Sequence, residues 1–226
     1  MYITGAMLVR NEADRYLRQA LDSISWCDRI VILDDASTDS TPEICRLYAS
    51  RYERMPESLF TTDELFLRKR LWSMATEKGG WVLIIDADEI LEPRCATTVR
   101  SLLEQYQEVE WVSFRLYDMW TPSHYREDDL WNAHLKHWPM MFLYDSRKTY
   151  IWKEQPVHCG RFPLNAIENV GLITNLRIKH MGWARHEDRL AKYQRYKIHD
   201  PEGRYGILEQ YESILEENPN LVEFVE

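Results

Sequence analysis

Three apolar runs set the pattern of the first part of the chain: residues 2–8, residues 29–33 (Arg29-Ile30-Val31-Ile32-Leu33) and residues 81–85 (Trp81-Val82-Leu83-Ile84-Ile85). Unbroken runs this short, rich in β-branched residues, fit strands covered on both faces of a sheet. The segments between them follow a different rhythm. Ala13, Tyr16, Leu17, Ala20, Leu21 and Ile24 recur at helical spacing and predict a helix over 11–25. Thr41 followed by Pro42 reads as an N-cap and first helical position, predicting a helix over 42–49. Asp63 caps a third helix reaching about residue 78, with Leu67, Leu71, Met74 and Ala75 on one face, and Gly79-Gly80 stops it. This alternation of strand and helix predicts a mainly parallel sheet with right-handed crossovers.

Beyond Glu89 the rhythm changes. A helix over 93–105 and a strand over 109–116 lead into an irregular, aromatic-rich stretch over 117–163. A short strand over 176–180 and two terminal helices, 185–200 and 205–217, complete the expectation, the helices being parted by Pro201-Glu202-Gly203. No repeat, low-complexity segment or flexible linker interrupts the 226 residues, a length that fits one domain with one sizeable core.

Composition narrows the function classes. A formal net charge of -9 argues against nucleic-acid binding, which needs a basic footprint. Much of the acid lies in the tail, at Glu209, Glu212, Glu216, Glu217, Glu223 and Glu226, and reads as a solvated helix face. No apolar run approaches the roughly 20 residues of a membrane span, and the start carries neither a basic region nor a cleavable apolar segment. A soluble, cytoplasmic protein with no transmembrane segment is expected. Cys27, Cys45, Cys95 and Cys159 form no C-x-x-C pair, so neither a disulfide framework nor a thiolate zinc site is indicated.

The chemistry gathers where the runs end. The 81–85 run opens into Asp86-Ala87-Asp88-Glu89, and the 29–33 run into Asp34-Asp35-Ala36-Ser37-Thr38-Asp39-Ser40-Thr41. Ligands of parallel sheets collect at the carboxyl ends of the strands. Carboxylates one residue apart at that edge suit a hard divalent cation, which takes oxygen ligands and bridges to substrate phosphates.

With both acidic strand ends in view, the chain resembles family-2 glycosyltransferases, the nucleotide-sugar enzymes of the GT-A fold. Four pieces carry the resemblance, in order and spacing: Val9-Arg10-Asn11-Glu12 after strand one, the D-D-x-S-x-D-x-T match at Asp34 to Thr41, the D-x-D with trailing acid at Asp86 to Glu89, and His180-Met181-Gly182-Trp183. The resemblance implies a single α/β domain with a Rossmann-like, mainly parallel sheet flanked by helices. In it 1–116 would be the nucleotide-sugar-binding half, 117–184 an irregular acceptor and catalytic half, and 185–226 the C-terminal helices. Asp34 and Asp35 would contact base and ribose, with Val9, Asn11 and Glu12 closing the pocket. Asp88 would bind Mn2+ or Mg2+, Asp86 would reach the ribose or a metal-bound water, and His180 would be a further metal ligand or a diphosphate contact. An arginine beside the diphosphate falls on Arg68 or Arg70, the register leaving both open.

The implied reaction moves a sugar from a nucleoside diphosphate, uridine or thymidine by family preference, to a hydroxyl of a glycan or other acceptor, with inversion. Its setting would be glycan or polysaccharide biosynthesis. Related enzymes carry an H-E pair after the irregular stretch, whereas here Trp152-Lys153-Glu154-Gln155-Pro156-Val157-His158-Cys159 places a cysteine where the acid is often found. Glu154 and His158 are the first candidates for the base, with Asp128 and Asp129 as further ones. Tyr117, Trp120, Tyr125, Trp131, Trp138 and Trp152 suit a sugar-binding wall and equally the packing of a loop-rich lobe. His134-x-x-His137 lacks further ligands in pattern for zinc.

Competing classes fit less well. A haloacid-dehalogenase phosphatase places its D-x-D near the start of the fold and follows it with a hydroxyl residue or valine. A sugar-phosphate nucleotidyltransferase needs a glycine-rich loop where Leu8-Val9-Arg10-Asn11 stands. A non-catalytic nucleotide-sugar or glycan-binding scaffold remains the alternative of a different class. The C-terminal helices admit two uses, covering the sheet or joining two copies in a homodimer.

Overall fold

The computed structural model describes residues 1–204 and 206–225. Tyr205, the expected start of the second terminal helix, and Glu226, the last of the tail acids, lie outside the described residues. The first half follows the apolar runs closely: β1 (Ile3–Val9), α1 (Leu17–Ser23), β2 (Arg29–Asp34), α2 (Thr41–Tyr48), β3 (Arg51–Arg54), α3 (Glu64–Thr76) and β4 (Gly80–Asp86). Then come β5 (Glu89–Leu91), α4 (Cys95–Gln105), β6 (Trp111–Asp118), β7 (His124–Arg126), β8 (Trp138–Tyr144), β9 (Gly171–His180), α5 (His186–His199), α6 (Leu208–Ser213) and β10 (Leu221–Glu223).

Eight strands form one sheet in the order β3-β2-β1-β4-β8-β6-β9-β5, and β10 pairs with β7. The pairs β3–β2, β2–β1, β1–β4 and β6–β9 are parallel, while β8 runs antiparallel to both β4 and β6. Alternation along the central strands explains their unbroken apolar character. Met7, Ile32, Leu83 and Ile85 join one core cluster with Leu17 and Leu21 of α1, Ile24 just beyond its end, and Val99 of α4. Ala6, Leu8, Val31, Leu33, Val82 and Ile84 join the other, against Leu67, Leu71, Met74 and Ala75 of α3. Each strand thus buries both faces, as helices on either side of a parallel sheet require. Asp63 caps α3 by accepting from Phe66 N at 3.1 Å, and Gly79 and Gly80 turn the chain into β4 with φ of 67° and 80°.

Several expectations are corrected. The helix predicted from residue 11 begins only at Leu17, because the amides before it bond outward to the β2 loop. Glu12 N donates to Thr41 Oγ1 at 2.7 Å and Ala13 N to Asp39 Oδ2 at 3.2 Å. The stretch expected to be irregular contains β8, in the middle of the sheet. Pro139 has no N–H to give a ladder, and it sits where the β6–β8 register shifts, between Val112 and Ser113. The strand expected over 176–180 starts at Gly171, and β3, β5, β7 and β10 are additional. The last helix is shorter than expected, Leu208–Ser213. All four cysteines are free thiols, and among the described residues no helix is long and apolar enough to cross a membrane.

Candidate active site

Parallel pairing sets three strand ends level, since Val9 lies opposite Asp34 and Leu8 opposite Asp86. The loops leaving β1, β2 and β4 therefore emerge side by side. The β6–β9 pair brings Asp118 and His180 to the same edge, opposite one another in register. A cleft of about 430 Å³ opens there, with Val9, Glu12, Asp35, Arg68, Asp88 and Arg161 in its walls. Lys192, Arg195 and Tyr196 of α5 face it from the other side.

The acids at the end of β2 are held mainly by neutral donors, with one guanidinium at the edge of each: Arg54 at 3.6 Å from Asp34 and Arg10 at 3.5 Å from Asp35. Asp34 is fully buried and accepts from Ser37 N at 2.9 Å and Tyr52 OH at 2.6 Å. Asp35, equally buried, accepts from Leu59 N at 2.7 Å, Ser58 Oγ at 2.7 Å and Phe60 N at 3.2 Å. Only Asp35 lines the cleft. Asn11, at φ 53°, ties the two loops together: its side-chain Oδ1 accepts from Thr38 N at 2.7 Å and its backbone N–H donates to Ser37 Oγ at 3.0 Å. Asn11 itself is exposed and is not among the residues lining the cleft.

The acids at the end of β4 are surrounded by cations. Asp86 faces Arg161 at 3.0 Å and Arg68 at 3.4 Å. Burial alone would push its carboxyl up, but the two guanidinium groups outweigh that and hold it below the usual range. Arg161 also pairs with buried Glu89 at 2.7 Å, and Glu89 Oε2 accepts from Asp86 N. Asp88 Oδ2 lies 3.6 Å from His180 Nε2 and 3.7 Å from Lys192 Nζ. Here too burial is overcome, by His180, Lys192 and Arg15, and the carboxyl is held down. His180 Nδ1 is 2.7 Å from Asp118 Oδ1; burial disfavours its charge, yet Asp88 and Asp118 bring the imidazole up to about 9. Glu12 pairs with Arg15 at 2.9 Å, and burial ahead of that attraction pushes its carboxyl up to about 7.

Among the described residues no group of three or more His, Cys, Asp or Glu forms a metal site. The donor set nevertheless fits one divalent ion. Oxygen and imidazole ligands lie about 2.0–2.2 Å from such an ion, so two donors to one ion stand no more than about 4.4 Å apart. Asp88 Oδ2 and His180 Nε2 meet that limit, and Asp118 fixes the imidazole from behind as second-sphere carboxylates do. Gly182 keeps the place open. A methyl group built on it would lie 2.9 Å from His180 Nε2 and closer still to Asp88 Oδ2 and Lys192 Nζ.

The remaining candidates stand elsewhere. Arg70 is two residues from Arg68, hence on a different face of α3, and it grips Glu53 in a fork at 2.7 and 2.5 Å outside the cleft. Of the two arginine registers, the structure brings Arg68 to the cleft. Glu154 is exposed and paired with Lys69 at 2.8 Å, and the His158 amide donates to Glu64 at 2.9 Å; neither lines the cleft. Asp128 accepts from Arg126 and from the Leu130 and Trp131 amides, Asp129 O accepts from Asn132, His134 pairs with Glu127, and His137 Nδ1 meets the Thr174 carbonyl. Trp120, Trp131 and Trp183 pack against one another in a buried cluster.

Several residues at the site carry no expectation from the sequence, Arg15 and Phe60 of the cleft wall among them. Asp118 had a fainter signal than the earlier acids, standing two residues past the expected 109–116 strand, after Tyr117. Lys192, Arg195 and Tyr196 recur at i, i+3 and i+4, the spacing of one helix face. Arg161 had none: it stands alone in a loop far along the chain from its partners.

Residues 6–165 match the profile described as glycosyl transferase family 2. The chain belongs to that family. The matched span holds both acidic strand ends and stops short of His180 and α5. An uncharacterized protein of Mycobacterium tuberculosis is 24% identical to this family-2 chain over 229 aligned positions, covering 93% of it and 54% of the relative. A TPR repeat-containing protein of Synechococcus elongatus is 31% identical over 115 positions, covering 50% of this chain and 27% of its own. The chain thus spans about half, or less, of the length of the curated relatives it matches. Among solved structures, S. aureus TarS superposes with a TM-score of 0.55 at 14% identity, covering 95% of this chain and 42% of TarS. TarS 1-349 in complex with UDP-GlcNAc gives 0.51 at 14%, covering 95% and 70%. This likeness establishes the GT-A fold, a large curled sheet flanked by helices.

Proposed function

We propose that the chain transfers a sugar from a nucleoside diphosphate sugar to an acceptor hydroxyl, with Asp88 and His180 holding a divalent Mn2+ or Mg2+ ion. One observation carries this reading: the cleft at the strand ends pairs two carboxylates with the cations Arg68, Arg161 and Lys192 and brings Asp88 Oδ2 to 3.6 Å from His180 Nε2, which would release its proton to solvent on becoming a ligand, around a position that Gly182 keeps free of a side chain of its own. A bound divalent ion would supply Lewis-acid stabilisation of the departing diphosphate. The chain's own groups do the rest. Asp118 holds His180 in position, Arg161 and Arg68 keep Asp86 charged and present further positive charge to the phosphates, and Asp35 fixes the 58–60 loop that walls the nucleoside end. Transfer with inversion rests on the family resemblance, as does a role in glycan or polysaccharide synthesis.

Uridine diphosphate is the first donor fragment to try, since a solved neighbour of the same fold was determined with UDP-GlcNAc. Thermal unfolding with uridine, thymidine, guanosine and cytidine diphosphates, with and without Mn2+, tests the reading. A nucleotide at a hundredfold excess over its dissociation constant adds about 2.7 kcal/mol of apparent stability. One nucleotide is expected to give a Mn2+-dependent shift that Asp88→Asn removes while the fold persists. No shift with any of them would overturn the donor site.

A non-catalytic nucleotide-sugar binder is the second reading. It is favoured by the placement of Glu154 and His158, neither of which lines the cleft. Release of free nucleotide from a panel of UDP-sugars with simple glycan acceptors separates the two.

A further inference from the structure

We propose that Lys192 is a tethered cation at the metal position, so that its ammonium and a divalent ion are alternative partners of the Asp88 carboxylate. The inference rests on the metal reading above and concerns a residue outside the family-matched span. The same oxygen, Asp88 Oδ2, faces His180 Nε2 at 3.6 Å and Lys192 Nζ at 3.7 Å. The ammonium occupies the hollow over Gly182, the hollow that also lies between the two donors, since a methyl group on Gly182 would collide with all three. A doubly charged ion held by Asp88 and His180 would stand against that ammonium inside a low-dielectric cleft. Like charges so close repel strongly there. One of the two cations must leave.

Lys192 is built to be the one that leaves. It sits on a flexible four-carbon stem, on a helix none of whose residues is buried, with its ammonium 4.2 Å from the Trp183 ring centroid. A swing of the side chain gives up that cation–π contact but withdraws no buried side chain from the core. A partner is at hand: Glu12 Oε2 is buried, belongs to a residue lining the same cleft, and has no hydrogen bond. A buried carboxylate oxygen without a donor is costly, and the displaced ammonium would supply one. In the metal-free protein Lys192 neutralises Asp88. In the metal-loaded protein it neutralises Glu12. The chain therefore guards its acidic pair against self-repulsion without metal, at the expense of weaker metal binding.

The test is equilibrium Mn2+ binding, read as loss of the free-ion electron paramagnetic resonance signal, with and without uridine diphosphate. Wild type, Lys192→Met and Asp88→Asn are compared, and Lys192→Gln replaces Lys192→Met if the latter does not fold. Removing the ammonium is expected to tighten Mn2+ binding at least tenfold. Glu12→Gln is expected to weaken it in the wild-type background and to have less effect beside Lys192→Met, the coupling that a shared displacement step requires. Unchanged or weaker binding in Lys192→Met, with Mn2+ still bound by wild type and lost in Asp88→Asn, overturns the tethered cation and leaves the metal reading standing. Binding by neither wild type nor Lys192→Met overturns both.

Discussion

The two acidic strand ends look alike in sequence and are solvated in opposite ways. Asp34 and Asp35 are satisfied mainly by amides and hydroxyls, from Ser37, Tyr52, Leu59, Ser58 and Phe60. Asp86 and Asp88 are satisfied by ions, from Arg161, Arg68, His180 and Lys192. Neutral donors, most of them on the neighbouring strand and the 58–60 loop, fix loop shape and cannot be exchanged without rebuilding that loop. Side-chain cations can turn toward an arriving anion. The β2 end therefore reads as architecture for a pocket, while the β4 end reads as the charged apparatus inside it.

Arg161 is where breaking this contrast has the largest consequence. Among the described residues it alone pairs with both Asp86 and the fully buried Glu89, and its loop lies far along the chain from both. Arg161→Ala strands a buried carboxylate, so a loss of about 3 kcal/mol is expected, toward the low end for a broken buried pair because the guanidinium keeps some solvent contact. Urea unfolding measures it. A loss under about 0.5 kcal/mol, the range of ordinary surface changes, would mean that water takes over the role of Arg161 and that the β4 end is not an ion-held site.

Asp34 sharpens the other side. Asp34→Ala leaves the Ser37 amide and the Tyr52 hydroxyl without their acceptor, which is expected to cost about 2 kcal/mol. Nucleotide affinity of the folded fraction should change less than threefold. Asp88→Asn should show the reverse, with ligand binding lost and stability nearly kept. If Asp34→Ala spares stability and abolishes nucleotide binding, Asp34 touches the ligand directly and the division between the two strand ends fails.

How much of this was legible in the sequence follows the same division. The parallel strands announce themselves because each buries both faces, leaving Met7, Ile32, Leu83 and their neighbours no polar alternation to hide in. Asp63 and Gly79-Gly80 marked the limits of α3 because capping and positive φ are local chemistry. β8 was illegible for a reason equally local: Pro139 argues against a central strand, and only the register shift at Val112/Ser113 makes room for it. The first half of β9 exposes Ile173 and Asn175 on one side and so lacks the buried-strand signature. In the site, motif residues were found and their partners were not. Arg161 and Lys192 reach Asp86 and Asp88 through tertiary contacts that no spacing along the chain encodes.

The smallest expected effect is the most informative about the acceptor side. Glu154 was the leading candidate for the catalytic base, yet its carboxylate is two-thirds exposed and paired with Lys69, outside the cleft. A base must come within about 2.6–3.2 Å of the proton it removes, directly or through one water. Glu154→Gln is therefore expected to change kcat/KM by less than threefold, about 0.6 kcal/mol in transition-state stabilisation, and an exposed ion pair with lysine contributes little to stability. Steady-state kinetics on the sugar nucleotide that passes the unfolding screen measures this. A hundredfold loss in kcat with KM unchanged would instead show that the 145–163 loop closes during turnover and carries Glu154 to the acceptor. In that event the two ends of the sheet differ in timing as well as in charge: the nucleotide side is set in advance, and the acceptor side is completed only by its substrate.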